Sequence, residues 1–187
     1  MVVDQNFLKV KIKFLIIILT LLFTSKSYCE KIVLEKLVEL DSPWGSSFIN
    51  NNEIILTEKS GKIKIVDILT NQIQEVDHQL DFVVHGQGGL LDIIHKDNIV
   101  WISYTEDRGN YKTSTSIARA KLNKKKLVFK NIFQANPPID SGYHFGSRLA
   151  IKDNYIYASA GERGQGMIAQ DASKHPGSII RVHLDGS

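Results

Sequence analysis

After residue 30, apolar positions recur with a period near two rather than 3.6, the spacing of half-buried strands. Short β-branched and aromatic runs, bounded by Asn, Asp and Gly, predict a succession of strands. "KIVLEKLVEL" (31–40) alternates in part. "NNEIILTEKSGKIKIVDI" (51–68) reads as a hairpin turning at "EKSGK". "KDNIVWISYTE" (96–106) predicts a buried strand, with "TSTSIARAKL" (113–122) returning after a loop. "KLVFKNIFQA" (126–135) predicts another strand, and "KDNYIYASAGERG" with "PGSIIRVHLDGS" predicts a final pair.

The runs repeat. "NNEIILTE", "KDNIVWIS" and "KDNYIYAS" each join a polar turn containing Asn to an apolar or aromatic run. Aligning Asn52, Asn98 and Asn154 gives intervals of 46 and 56 residues. A second strand follows each unit: "KIKIVD", "SIARAKL" and "SIIRVHL". Several strands per unit at a period of ~40–50 residues suggest propeller blades, with an irregular antiparallel sandwich or barrel as the alternative. The all-β chain would hold about three blades, fewer than the ~4–8 of a closed ring.

The first 29 residues follow another pattern. Lys9, Lys11 and Lys13 precede the ten-residue apolar stretch "FLIIILTLLF" (14–23), and "TSKSYCE" follows. This is the order of a signal peptide. The stretch is short of the ~20 residues a transmembrane helix needs. Cleavage near Cys29 would leave a domain from residue 30 to 187, periplasmic or secreted, with no stable membrane span. Cys29 is the only cysteine, so that domain has no internal disulfide. Lipid attachment at Cys29 is disfavoured by the bulky Tyr28 before it.

The 43% apolar and 23% charged composition is that of a globular protein. The formal charge of +3 resides in the leader, where Lys9, Lys11, Lys13 and Lys26 face one acid, Asp4. The remaining domain is near neutral, which gives no footprint for nucleic acid. "KLNKKK" (121–126) reads as a solvated hairpin turn.

Three stretches could carry chemistry. "HGQGGLLDI" (85–93) reads first as a tight turn into a buried strand; functionally, it would project Gln87 from a glycine-rich loop. "DSGYHFGSRLAI" (140–151) sets His144 between Gly142 and Gly146. A lone histidine there ordinarily reads as a hydrogen-bonding loop residue; as a general base, its imidazole could accept a proton at neutral pH, with the glycines leaving room for a substrate. Arg148 could bind an anion or hold the loop by pairing with an acid. "AGERGQGMIAQDASKHPGS" (160–178) holds Glu162, Arg163, Asp171, Lys174 and His175, which read as ordinary charged loop residues. Nucleophile-elbow, zinc and EF-hand spacings are absent, and no metal ligand is assigned.

The pieces "SPWGSSFINNNEIILTEKSGKIKIVD", "GQGGLLDI", "WISYTE", "GYHFGSRLAI", "AGERG" and "AQDASKHPGSIIRVHLDGS", in this order, resemble the soluble pyrroloquinoline-quinone-dependent sugar dehydrogenases, the glucose/sorbosone dehydrogenase group. The resemblance covers residues 42 to 187. It implies a six-bladed propeller, with the quinone on its top face near the axis, and export to the periplasm. It implies an aldose substrate oxidised at C1 to the lactone, with a periplasmic electron acceptor. It makes His144 the catalytic base and puts Gln87 at the sugar and cofactor site. Arg148 is carried as a further binding residue. Some members place Asp immediately before the base, where this chain has Tyr143, so the glucose-type pattern is not complete. The resemblance puts calcium ligands and basic cofactor contacts beyond Ser187. Two rivals from the residues alone are a non-catalytic sugar- or protein-binding propeller and a lactonase-like, metal-dependent propeller hydrolase.

Overall fold

The structure is a computed structural model that describes residues 31–187; the predicted signal segment lies outside the described residues. The chain divides into two compact units, residues 1–35 and 36–187. In the first, residues 31–35 have no regular structure.

The second unit is built from antiparallel meanders. The first is β1 (Pro43–Phe48), β2 (Glu53–Glu58), β3 (Ile63–Asp67) and β4 (Ile73–His78). The second is β5 (Leu90–Lys96), β6 (Ile99–Asp107), β7 (Thr113–Lys121) and β9 (Lys130–Gln134); the two-residue β8 (Lys126–Leu127) lies between β7 and β9 in sequence. The third is β10 (Gly146–Lys152), β11 (Tyr155–Ala160) and β12 (Ile179–His183). One 3₁₀ turn, Gly166–Gln170, is the only helical element among the described residues. None of their helices is long and apolar enough to cross a membrane.

The Asn repeat has a common structural meaning. Asn52, Asn98 and Asn154 occupy the turns between the first and second strands of the three sheets. Each carbonyl accepts a backbone N–H from the residue just after the third strand: Ile68 at 2.8 Å, Leu122 at 2.9 Å and Leu184 at 2.9 Å. The same closure recurs in each sheet, which is the signature of blades.

Period-two alternation becomes two cores. Val100, Ile102 and Tyr104 of β6 pack with Ile55, Ile63 and Ile65 of the first blade. The intervening Trp101 packs with Leu149, Ile156 and Ala158 of the third. Successive strand residues point to opposite faces, so the middle blade is apolar on both. Two of its buried hydroxyls lie at the seam with the third blade. Ser103 Oγ donates to the Ser147 carbonyl at 2.7 Å, and Thr115 Oγ1 to the Phe145 carbonyl at 2.9 Å. Both bonds satisfy groups whose burial would otherwise be costly, and both fix the chain on either side of Gly146.

Two expectations need correction. Residues 31–40 form no strand, despite their partial alternation. "KLVFKNIFQA" is two strands, because Lys126–Leu127 pairs in parallel with β4 while Lys130–Gln134 pairs with β7. "KLNKKK" lies, as expected, in the largely exposed connection between the antiparallel strands β7 and β9. Within it Lys124 reaches across to Glu53 of the first blade, its Nζ 2.8 Å from Oε1.

Candidate active site

His144 lies just ahead of β10 with a φ of 49°, in the left-handed region that non-glycine residues seldom adopt. Contacts on three sides hold it there. Its backbone N–H donates to Gln87 Oε1 at 2.9 Å. The Gln87 N–H donates in turn to the Gly142 carbonyl at 2.7 Å. On another side the chain after β11 passes so close that a Cβ on Gly161 would lie 2.0 Å from the His144 carbonyl oxygen. The third hold is the contact between its ring and Glu162.

The glycines serve this packing. A Cβ on Gly86 would lie 2.4 Å from the Gly142 carbonyl oxygen. Gly142 therefore admits a neighbouring loop rather than a substrate, which corrects the expectation for that residue. Gly146, with a φ of 70°, likewise packs tightly against Gly161.

The ring of His144 is half exposed, and its Nδ1 contacts Glu162 Oε1. That hydrogen bond, with one from the Gly164 N–H at 3.1 Å, holds the Glu162 carboxyl below the usual carboxylate range. An ionised carboxylate only accepts hydrogen bonds, so Nδ1 must carry the hydrogen. Nε2 of the neutral ring is then left with its lone pair free. Glu162 thus has a role that its place in a charged loop did not reveal. The available signal was its position, directly after a strand, in "AGERG".

The next residue holds the loop from below. Arg163, 3% exposed, donates to the carbonyls of Tyr143 (2.9 Å) and Thr113 (3.0 Å), to Thr113 Oγ1 (2.8 Å) and to the Ser141 carbonyl. Burial lowers its pKa to about 10, so it remains a cation at neutral pH.

Arg148 is committed elsewhere. Its Nη1 lies 3.0 Å from Asp92 Oδ1, and Asp92 also accepts the Leu149 N–H at 2.7 Å. The pair ties β10 to β5. Asp171 bonds Ser173 and Lys174, and His175 bonds the Asn136 backbone, as expected of loop residues. Among the described residues, no three His, Cys, Asp or Glu side chains group as a metal site.

A three-blade β-propeller segment with an imidazole–carboxylate pair at the entrance to its third blade defines the class. The family profile for Glucose / Sorbosone dehydrogenase matches residues 40–187, and the chain belongs to that family. It is 28% identical over 158 residues to the aldose sugar dehydrogenase YliI of Escherichia coli K12, covering 79% of this chain and 43% of that protein. The crystal structure of the soluble aldose sugar dehydrogenase from Escherichia coli, in the apo-form, superposes with a TM-score of 0.74 at 28% identity, over 79% of this chain and 46% of that one. The PQQ-bound aldose sugar dehydrogenase from Streptomyces coelicolor also gives 0.74, at 25% identity, over 83% and 48% of the two chains. The chain therefore spans less than half the length of these relatives.

Proposed function

We propose that the whole protein oxidises aldose sugars at C1 to the lactone, with His144 as the base and pyrroloquinoline quinone as the oxidant. The observation that carries this reading is the His144–Glu162 pair, which leaves Nε2 open on a half-exposed ring within the family's motif. Nε2 takes the proton of the anomeric hydroxyl, and C1 and its oxygen become the lactone carbonyl. When bound, the quinone supplies the two-electron acceptor for the hydride that leaves C1. Glu162 keeps the ring in the required tautomer and stabilises the imidazolium that forms. Gln87 holds the His144 backbone through Oε1; its Nε2 hydrogens bond no described residue and remain available to a sugar hydroxyl.

The described residues fit the sugar side of such a site better than the quinone side. Three carboxylates on the cofactor call for cations. Arg148 is already paired with Asp92, and Arg163 is turned inward on carbonyls. We assign the cofactor's cationic contacts, and calcium, to the remainder of the protein, and export to the periplasm to residues 1–29.

The test is His144→Ala in the complete protein. Turnover of an aldose should fall ~10²–10⁴-fold while quinone binding is retained. An unchanged rate overturns the assignment.

A further inference from the structure

A cavity of about 670 Å³ opens beside the His144 loop, within the range of small-molecule sites, ~300–1,000 Å³. Its walls come from the segment before Gln87, the turn between β6 and β7, and Asp140. We propose that this cavity is a second carbohydrate subsite. It would hold the neutral pyranose ring next to the one being oxidised, so that the protein favours oligosaccharides over free monosaccharides. The proposal rests on the sugar-oxidising reading of His144.

The chemistry of the lining points to a neutral, hydroxyl-rich ligand. Tyr111 is 87% exposed on its turn, with a φ of 63°. A free aromatic face with a polar tip suits the C–H face of a pyranose. Asp107 accepts the Gly109 N–H through Oδ1 at 2.8 Å, leaving Oδ2 open. Asp140, His85 and the Asn110 amide make no side-chain hydrogen bond to a described residue, yet all face this cavity. Carboxylates accept from hydroxyls, and the imidazole and amide can do both.

The same lining argues against an anionic ligand. It includes no Lys or Arg to offset the two carboxylates. Arg108, next in sequence to Asp107, is turned onto Ser114 Oγ at 3.0 Å and the Ala135 carbonyl at 3.3 Å.

The cavity also adjoins the segment that leads to His144, since Asp140 is part of its wall. A Cβ on Gly142 would sit 3.5 Å from His85 Cδ2, so the His85 ring lies beside the loop that carries His144.

The test is direct binding, read by saturation-transfer NMR and calorimetry on the complete protein without cofactor. The probes are glucose, maltotriose and cellotriose. At least one trisaccharide should bind about tenfold more tightly than glucose, a gain of the size an aromatic platform supplies. Tyr111→Ala and Asp140→Asn, both at exposed positions, should each reduce that gain and leave glucose affinity unchanged. His144→Ala should preserve it. Equal affinity for glucose and both trisaccharides, or a gain that survives both substitutions, overturns the proposal. The trisaccharide gain without quinone-dependent turnover would overturn the oxidoreductase reading and leave the subsite standing.

Discussion

The Arg163 guanidinium lies over the Phe145 ring, its central carbon 3.6 Å from the ring centroid. Phe145 follows His144 and Arg163 follows Glu162, so the two segments that form the imidazole–carboxylate pair are joined a second time, one residue further on. The planar fork satisfies carbonyls on both sides of the loop while its face covers the ring.

Arg163→Met should therefore destabilise the fold by about 2–3 kcal/mol, because buried carbonyls lose their donors. Arg163→Lys should recover only part, since an ammonium lacks the fork. Urea unfolding of the variants measures this, and a midpoint unchanged from the parent in Arg163→Met would contradict the clamp.

Glu162→Gln keeps the shape and removes the charge. Turnover in the complete protein should fall ~10²-fold, because the imidazolium formed on proton transfer loses its anionic partner. Nitrogen-15 NMR should show Nδ1–H as the dominant neutral tautomer of His144 in the parent and a mixed population in the variant. Identical spectra would contradict the role given to Glu162.

Glu58 is a buried carboxylate whose Oε1 accepts from Lys64 Nζ at 2.8 Å and from the Asp41 N–H at 2.7 Å. Burial pushes its pKa up, but the bonds from Lys64 and Asp41 outweigh this and the net shift is downward. A lowered pKa stabilises the fold above the unfolded value near 4.5, and that contribution is lost as pH falls through the folded value. Lys64→Met strands the carboxylate and should cost about 3–5 kcal/mol at neutral pH, with a smaller penalty in acid. Denaturation at pH 7 and pH 4 checks the sign; a larger penalty at pH 4 would refute it.

Titrating pyrroloquinoline quinone and calcium into the purified 187-residue chain should show weak binding or none. The nearby guanidiniums of Arg148 and Arg163 are already committed. Tight, stoichiometric binding would mean that these residues rearrange around the cofactor.

Much of the blade architecture was legible because it is periodic and local. A strand buried on both faces must be apolar throughout, as in the middle of β6, and each turn before a second strand must close, as Asn52, Asn98 and Asn154 do. Residues 31–40 show where this fails, since alternation alone supplies no strand to pair with. The split of 126–135 was hidden because Lys126 and Leu127 take β4, a strand from a different blade, as their partner.

The all-β repeat, the glycine-bounded loop and the imidazole within it depend on neighbours in the chain and are therefore written in its order of residues. What the imidazole meets depends on the fold. Glu162 and Gln87 reach His144 across 18 and 57 residues. Those contacts exist because β10 and β11 pair and their blade packs on the middle one. Chain spacing cannot encode such a meeting, because it is set by how the strands pair and the blades pack.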